Sequence, residues 1–445
     1  MKTNPAQMSN SNAAEARDEA HLQEIKSRVH RQLLQTLDLL QVQRLSSEQL
    51  YRECSQRLDG LLSEVGYPFS AVEKQQLLNE VLDDIFGLGP LEEFLRDPSV
   101  SDILVNGVNQ VYIERHGQLE QTSITFSGTQ RLLQMIQRIA TRVGRRIDES
   151  SPMLDARLSD GSRVNAIIPP LSLDGPALSI RRFGTIPIDS RQLLALRTLA
   201  PEMVMFLEGC VRGKRNILIS GGTGSGKTTL LNVLSKWIPS GERVITIEDA
   251  AELQLQRDHV VRLETRPPNI EGAGEVTQRE LLRNTLRMRP DRIIIGEVRG
   301  EETLDMLQAM NTGHEGSMTT VHANSPRDAL RRLENMVSMA GINYPIHAIR
   351  QQMSSAINLL VHIGRVTGGR RKVLNISEII GMEGDVICMS DIFTFRQTDV
   401  DSEGQAQGRF EACGVVPRLL EHLKAEGISM PLDLFQQRVL GNGAK

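Results

Sequence analysis

Apolar residues along this chain repeat with two different periods, and the change of period marks its organisation. After a polar opening, Leu22, Ile25, Val29, Leu33, Leu37 and Leu40 recur every three or four residues, which predicts an amphipathic helix. Ser46 with Gln49 and Ser70 with Glu73 have capping-box spacing, and apolar sets at helical spacing follow each: Leu50, Cys54, Leu58 and Leu61, then Leu77, Val81 and Ile85. Residues 1–20 are therefore expected to be a disordered N-terminus and 21–85 a helical extension. Its apolar stripes either close on one another as a bundle or present a docking arm to another protein.

From Phe86 the texture changes. FGLGPLEEFL reads as a turn and short helix, after which SDILVNG and QVYIERHGQLEQTSITF alternate in the manner of strands. A helix is expected over Thr129–Val143, then strands over Ser162–Ile168 and Leu178–Phe183 around a Pro-Pro and Asp-Gly loop. These elements make a small α+β domain over 86–183, with a linker over 184–200. Beyond it, the continuous apolar runs NILIS, RVITI, RIIIG, MTTV and INLLVHI alternate with helices. Strands without polar alternation are buried on both faces, so 201–445 is expected to be an α/β domain with a mainly parallel sheet.

The densest chemistry lies directly after the first of these runs. Residues 220–229 read SGGTGSGKTT, and Gly221–Thr228 fill the pattern G-x-x-x-x-G-K-[ST]. Glycines at 221, 222, 224 and 226 let backbone N–H groups turn inward on phosphate oxygens, with Thr223 and Ser225 between them. Lys227 would reach the β- and γ-phosphates, Thr228 would offer a hydroxyl to Mg²⁺, and Thr229 continues into an apolar helix whose N-terminus faces the phosphate. The strand, loop and helix occur in the order the motif requires, so the chain is expected to bind ATP or GTP.

Hydrolysis also needs carboxylates. RVITI runs into Glu248 and Asp249, and RIIIG runs into Glu297, at strand ends where open α/β sheets bind ligands. Glu297 is the candidate for holding Mg²⁺ through water, and Glu248 is the candidate catalytic base. A carboxylate that caps a helix or pairs with Arg299 is the structural alternative. His314 and His322, in TGHEGSMTTVHAN, are candidate γ-phosphate sensors or hydrogen-bonded structural residues.

Composition narrows the context. The net charge of −4 and 3% aromatic content give no support for nucleic-acid binding. No run approaches a membrane span and residues 1–20 lack the apolar core of a secretory signal, so the expectation is a cytoplasmic protein. Cys54, Cys210, Cys388 and Cys413 form no C-x-x-C pair and read as reduced packing residues.

In order and spacing, GGTGSGKTT, TIEDAAEL, IIIGEVRG and TGHEGSMTTVHAN resemble the Walker A loop, Asp box, Walker B strand and His box of the type II/type IV secretion and pilus-assembly ATPases. The resemblance spans residues from about 80 to 400. FGLGPLEEFL, SDILVNG and QVYIERHGQL are similar to the CpaF-like or TadA-like subgroup that powers tight-adherence (Flp, type IVb) pili. The tetracysteine zinc element usual in type II secretion and type IVa extension members is absent.

The resemblance implies a homohexameric ring of RecA-like P-loop domains that hydrolyse ATP with Mg²⁺. The ring would rest peripherally on the cytoplasmic side of inner-membrane platform proteins. It also implies nucleotide-binding arginines in DGSRVNAIIPP and LSIRRFG, which are Arg163 and Arg181 here, with Arg182 beside them; surface ion pairing is the alternative for both. Arg279, Arg283, Arg287 and Arg289 are possible contacts to a neighbouring subunit or plain solvated positions. A RecA-like nucleic-acid translocase and a P-loop kinase are the competing readings.

Overall fold

The computed structural model describes residues 25, 28, 29, 32, 47–65, 69–115, 118–182, 188–268, 272–341 and 344–441. The expected disordered N-terminus, Ser46 and most of the predicted helix over 22–40 lie outside these. The chain divides into two compact units, 1–184 and 185–445.

In the first unit, helices Ser47–Val65 and Ala71–Phe86 follow the predicted apolar spacing. Ser70 and Glu73 form the expected reciprocal capping box. Ile25, Val29, Cys54, Leu58, Leu62, Leu77 and Val81 close on one another as a small core, so this segment packs as a bundle. Each fully buried Leu or Val there contributes about 1.5–3 kcal/mol.

Six antiparallel strands follow: β1 Val100–Asn106, β2 Val111–Arg115, β3 Gln118–Gln121, β4 Met153–Arg157, β5 Arg163–Ile167 and β6 Ala177–Arg181, in the order β3-β2-β1-β6-β5-β4. The helix Thr129–Arg142 lays Leu132, Met135, Ile136 and Ile139 on one face of this sheet, against Ile103, Val105, Val164 and Ile180. The expected strand character of residues 122–126 is not realised. Strand β4 is an addition to the predicted set, because its polar MLDAR sequence gives little alternation.

The second unit is a ten-stranded sheet. Its strands are β7 Ile217–Gly221, β8 Val244–Glu248, β9 Val260–Glu264, β10 Arg292–Ile295, β11 Met318–His322, β12 Leu359–Arg365, β13 Arg371–Glu383, β14 Val386–Val400, β15 Ala406–Ala412 and β16 Arg438–Val439. The order is β16-β15-β14-β13-β12-β7-β11-β10-β8-β9. The strands from β12 to β9 are parallel neighbours, as the apolar runs predict.

The sheet is mixed, because β13 to β16 add an antiparallel meander beyond β12 that the sequence reading does not include. These strands mix buried and solvated positions and carry bulges, which hides them from a search for continuous apolar runs. Both faces of the parallel part are covered. Ile217 and Ile219 enter one core with helices Pro201–Arg212 and Lys227–Ser235, while Leu218 enters the other with helices Glu302–Asn311, Pro326–Met339 and Ile346–Ala356.

Within the expected linker over 184–200, residues 183–187 fall outside the described set. Ser190–Ala195 form a capped helix there, and Leu193, Leu199 and Ala200 join the core of the second unit. Among the described residues, no helix is long and apolar enough to cross a membrane.

Candidate nucleotide-binding site

The phosphate loop leaves the C-terminal end of β7 and enters the helix Lys227–Ser235 directly. Gly224 and Gly226 take φ values of +64° and +100°, which side chains resist. Gly221 is required for another reason: a Cβ there would lie 2.2 Å from the Ile363 carbonyl oxygen. Ser225 Oγ donates to the Gly222 carbonyl at 2.8 Å, and Lys227 Nζ donates to the carbonyls of Gly221 and Gly222 at 3.1 Å each. Thr228 and Thr229 occupy the first turn of the helix, whose N–H groups and dipole favour an anion. Gly222 and Thr223 complete the loop at its accessible side.

Glu248 ends β8 and is only 2% exposed. Its Oε2 accepts hydrogen bonds from the backbone N–H groups of Glu252 and Leu253, at 2.7 and 2.8 Å. Its Oε1 is buried and has no hydrogen-bond partner among the described residues. Burial raises its pKa to about 7 against the opposing pull of those two N–H groups, which suits a base working near neutrality. Gly296, following β10, leaves room for this side chain: a Cβ there would sit 3.0 Å from Cγ of Glu248.

Glu297 comes next in the chain. Its Oε2 accepts from Arg299 Nε at 3.1 Å and from a terminal Arg299 nitrogen at 2.7 Å. Arg299 also reaches Asp249 at 3.3 Å, so one guanidinium bridges carboxylates that follow β8 and β10. Asp249 is further held by Gln278, at 2.9 Å.

Electrostatics ties these groups together. Burial lowers the Lys227 pKa, opposed by the charge of Glu297, while Arg299 and Arg332 lower it further. His322, at the end of β11, pairs in register with Gly221; burial and then the Lys227 charge lower its pKa, which favours the neutral ring. Arg332, on the helix Pro326–Met339, escapes sequence reasoning, where it is one charge on an amphipathic face. His362 escapes it as well. Its Nδ1 meets Ser220 Oγ at 2.9 Å, directly below the loop.

Two groups of candidates stand elsewhere. His314 precedes β11 by four residues, at the opposite edge of the sheet from Gly221, and its N–H donates to Ala309. The parallel register that brings His322 to the loop carries His314 away, so the expected pairing of both imidazoles on one phosphate is corrected within the chain. Arg279 and Arg283 both bind Asp305 of the same chain, at 2.7 and 2.9 Å.

In the first unit, Arg163 lies opposite Arg181 in register, and Arg157 lies opposite Arg163. Arg181 Nε is 3.1 Å from Asp102 Oδ1. Val164 and Ile180 point into the core, so this arginine row is on the other face of the sheet. Arg182 donates to the carbonyls of Asp97 and Val100 instead.

A nucleotide fits the loop: Gly224 and Gly226 hold the left-handed backbone of the turn, Lys227 supplies charge, and a helix N-terminus closes it. The Thr228 hydroxyl and the Glu297 carboxylate are hard oxygen donors of the kind Mg²⁺ takes together with water.

Comparison with known proteins places the chain in a family. The family model described as type II/IV secretion system protein matches residues 85–386. A Mycobacterium tuberculosis protein described as a putative conjugal transfer protein is 37% identical over 309 residues, covering 68% of this chain and 87% of its own. VirB11, a type IV secretion system protein of Brucella abortus, is 32% identical over 306 residues, covering 62% of this chain and 84% of its own. The solved VirB11 ATPase of the Brucella suis type IV secretion system is similar at 30% identity over 66% of this chain and 97% of that one, with a TM-score of 0.36. With more than half of its sequence matched, the chain belongs to the type II/IV secretion system protein family.

Proposed function

We propose that this protein is an ATP-hydrolysing motor of a secretion machine, working as a homohexamer on the cytoplasmic side of an inner-membrane platform. The observation that carries the chemistry is Glu248, a buried carboxyl with one unpartnered oxygen and a pKa raised to about 7, in the sheet whose β7 leads into the phosphate loop. Lys227 and the loop amides bind the phosphates, and Glu248 accepts the proton of the attacking water. Thr228 and, through water, Glu297 would hold Mg²⁺, which supplies charge neutralisation between the β- and γ-phosphates. His322 and Arg299 stand beside Lys227 and Glu297 to sense the state of the γ-phosphate. His314 is kept as a structural residue of the opposite sheet edge.

Arg163 and Arg181 are proposed to answer nucleotide charge. They stand opposite each other in register, in the two segments whose resemblance implies nucleotide-binding arginines. The names of the relatives favour a conjugal-transfer or type IV secretion machine. The narrower tight-adherence pilus assignment rests on the three segments of the first domain and is the second reading.

The test is Mg²⁺-dependent ATP hydrolysis per subunit against protein concentration, with light scattering on the same samples and Glu297→Gln as control. Turnover that climbs as a particle of about six subunits forms, with a control that binds ATP without cleaving it, supports the motor. Flat turnover by a monomer sinks the ring and favours a kinase. Stimulation by single-stranded DNA would favour a translocase.

A further inference from the structure

The hairpin of β12 and β13 ends against the phosphate loop. Arg365, the last residue of β12, lies opposite Arg371, the first of β13. Both guanidinium groups donate from Nε to one acceptor, the Gly224 carbonyl oxygen, each at 3.0 Å. The approach is close: a Cβ on Gly224 would meet an Arg365 terminal nitrogen at 2.8 Å, and one on Gly226 would meet Arg371 Cδ at 3.3 Å.

Two consequences follow from elementary chemistry. Two guanidinium groups beside the loop add positive charge there, and a polyphosphate held in the loop would share their field. The peptide group is also planar and trans, so the Gly224 carbonyl and the Ser225 N–H point in opposite directions. Holding the carbonyl outward on the hairpin turns that N–H toward the inside of the loop, where it makes only a long 3.4 Å bond to the Gly222 carbonyl and can be taken over by a phosphate oxygen.

We propose that Arg365 and Arg371 are positioning residues of the nucleotide site, which set the Gly224–Ser225 peptide for phosphate binding and add paired positive charge for a nucleoside di- or triphosphate. The proposal rests on the nucleotide-binding reading given above. It goes beyond the motif, because the two residues lie about 140 positions downstream of the loop they set.

The experiment compares the full-length protein with Arg365→Gln, Arg371→Gln, the double Gln variant and the double Lys variant. Affinities for Mg-ATP and ADP, KM and kcat are measured, together with ligand-free melting. Each Gln substitution is expected to weaken affinity about tenfold, with the larger effect on KM than on kcat. The double Lys variant keeps the charge but loses the Nε geometry, so it should recover only part of the loss. Unchanged affinity in a double Gln variant that melts like wild type overturns the proposal. If the Gln variants do not fold, a double Lys variant with wild-type affinity overturns it equally, because charge alone would then suffice. Wild-type protein that binds no nucleotide overturns the underlying reading instead.

Discussion

His362 Nδ1 lies 2.9 Å from Ser220 Oγ, one residue before the phosphate loop and on the strand next to it. Burial lowers the His362 pKa, opposed by a hydrogen bond to the Asn324 backbone, and the ring joins the strand under the loop to the segment after His322. His362→Ala would leave the buried Ser220 hydroxyl without this partner and open a cavity. The expected cost is about 2–3 kcal/mol, and for Ser220→Ala about 1 kcal/mol, both read by urea unfolding.

Glu248 should impose opposite pH dependences on stability and turnover. Its carboxyl pKa is raised from 4.5 to about 7 in the folded chain, so between these values the native state holds a proton that the unfolded state has released. Stability therefore falls as pH rises through this window, by at most about 3 kcal/mol, and is level on either side. Turnover should rise over the same window as the base ionises. Unfolding and rate profiles of Glu248→Gln should lack both slopes; a variant that keeps the wild-type rate profile would remove Glu248 as the base.

Gly296→Ala should separate catalysis from stability. The added methyl would reach Cγ of Glu248 at 3.0 Å, close enough to displace a side chain held by two backbone N–H groups. A kcat loss of about tenfold is expected from such a displacement. ATP affinity and the melting temperature should stay near wild type.

Arg292 should matter for folding alone. It is fully buried on β10, pairs with Glu242 and donates to the carbonyls of Val211 and Gly316. Arg292→Met leaves Glu242 and two carbonyls without these bonds, so unfolding should become easier by about 3–5 kcal/mol. Restoring part of that loss with Glu242→Gln on the same background would confirm the pairing, since the stranded charge is then removed.

The parallel sheet and the phosphate loop are legible in the sequence because each is a local code. A strand buried on both faces must be apolar throughout, and a backbone cradle for phosphate must have glycine at fixed offsets. Those constraints act over a few residues, so Gly221–Thr228 and the acidic strand ends at Glu248 and Glu297 can be named from the order of residues alone. The amphipathic extension is equally readable as helix, although only its packed core shows that it closes as a bundle.

Everything else in the site depends on which distant segments become neighbours. Strand order and register bring His322 to Gly221 and leave His314 at the other edge. Long-range pairing sets Arg365 and Arg371 on Gly224 and His362 on Ser220. Burial of Glu248 moves its proton affinity, and burial is a property of the folded sheet that no spacing of residues expresses. The glycine pattern of the chain is enough to specify a grip for phosphate; the side chains that surround that grip are chosen by the alignment of strands far apart in sequence.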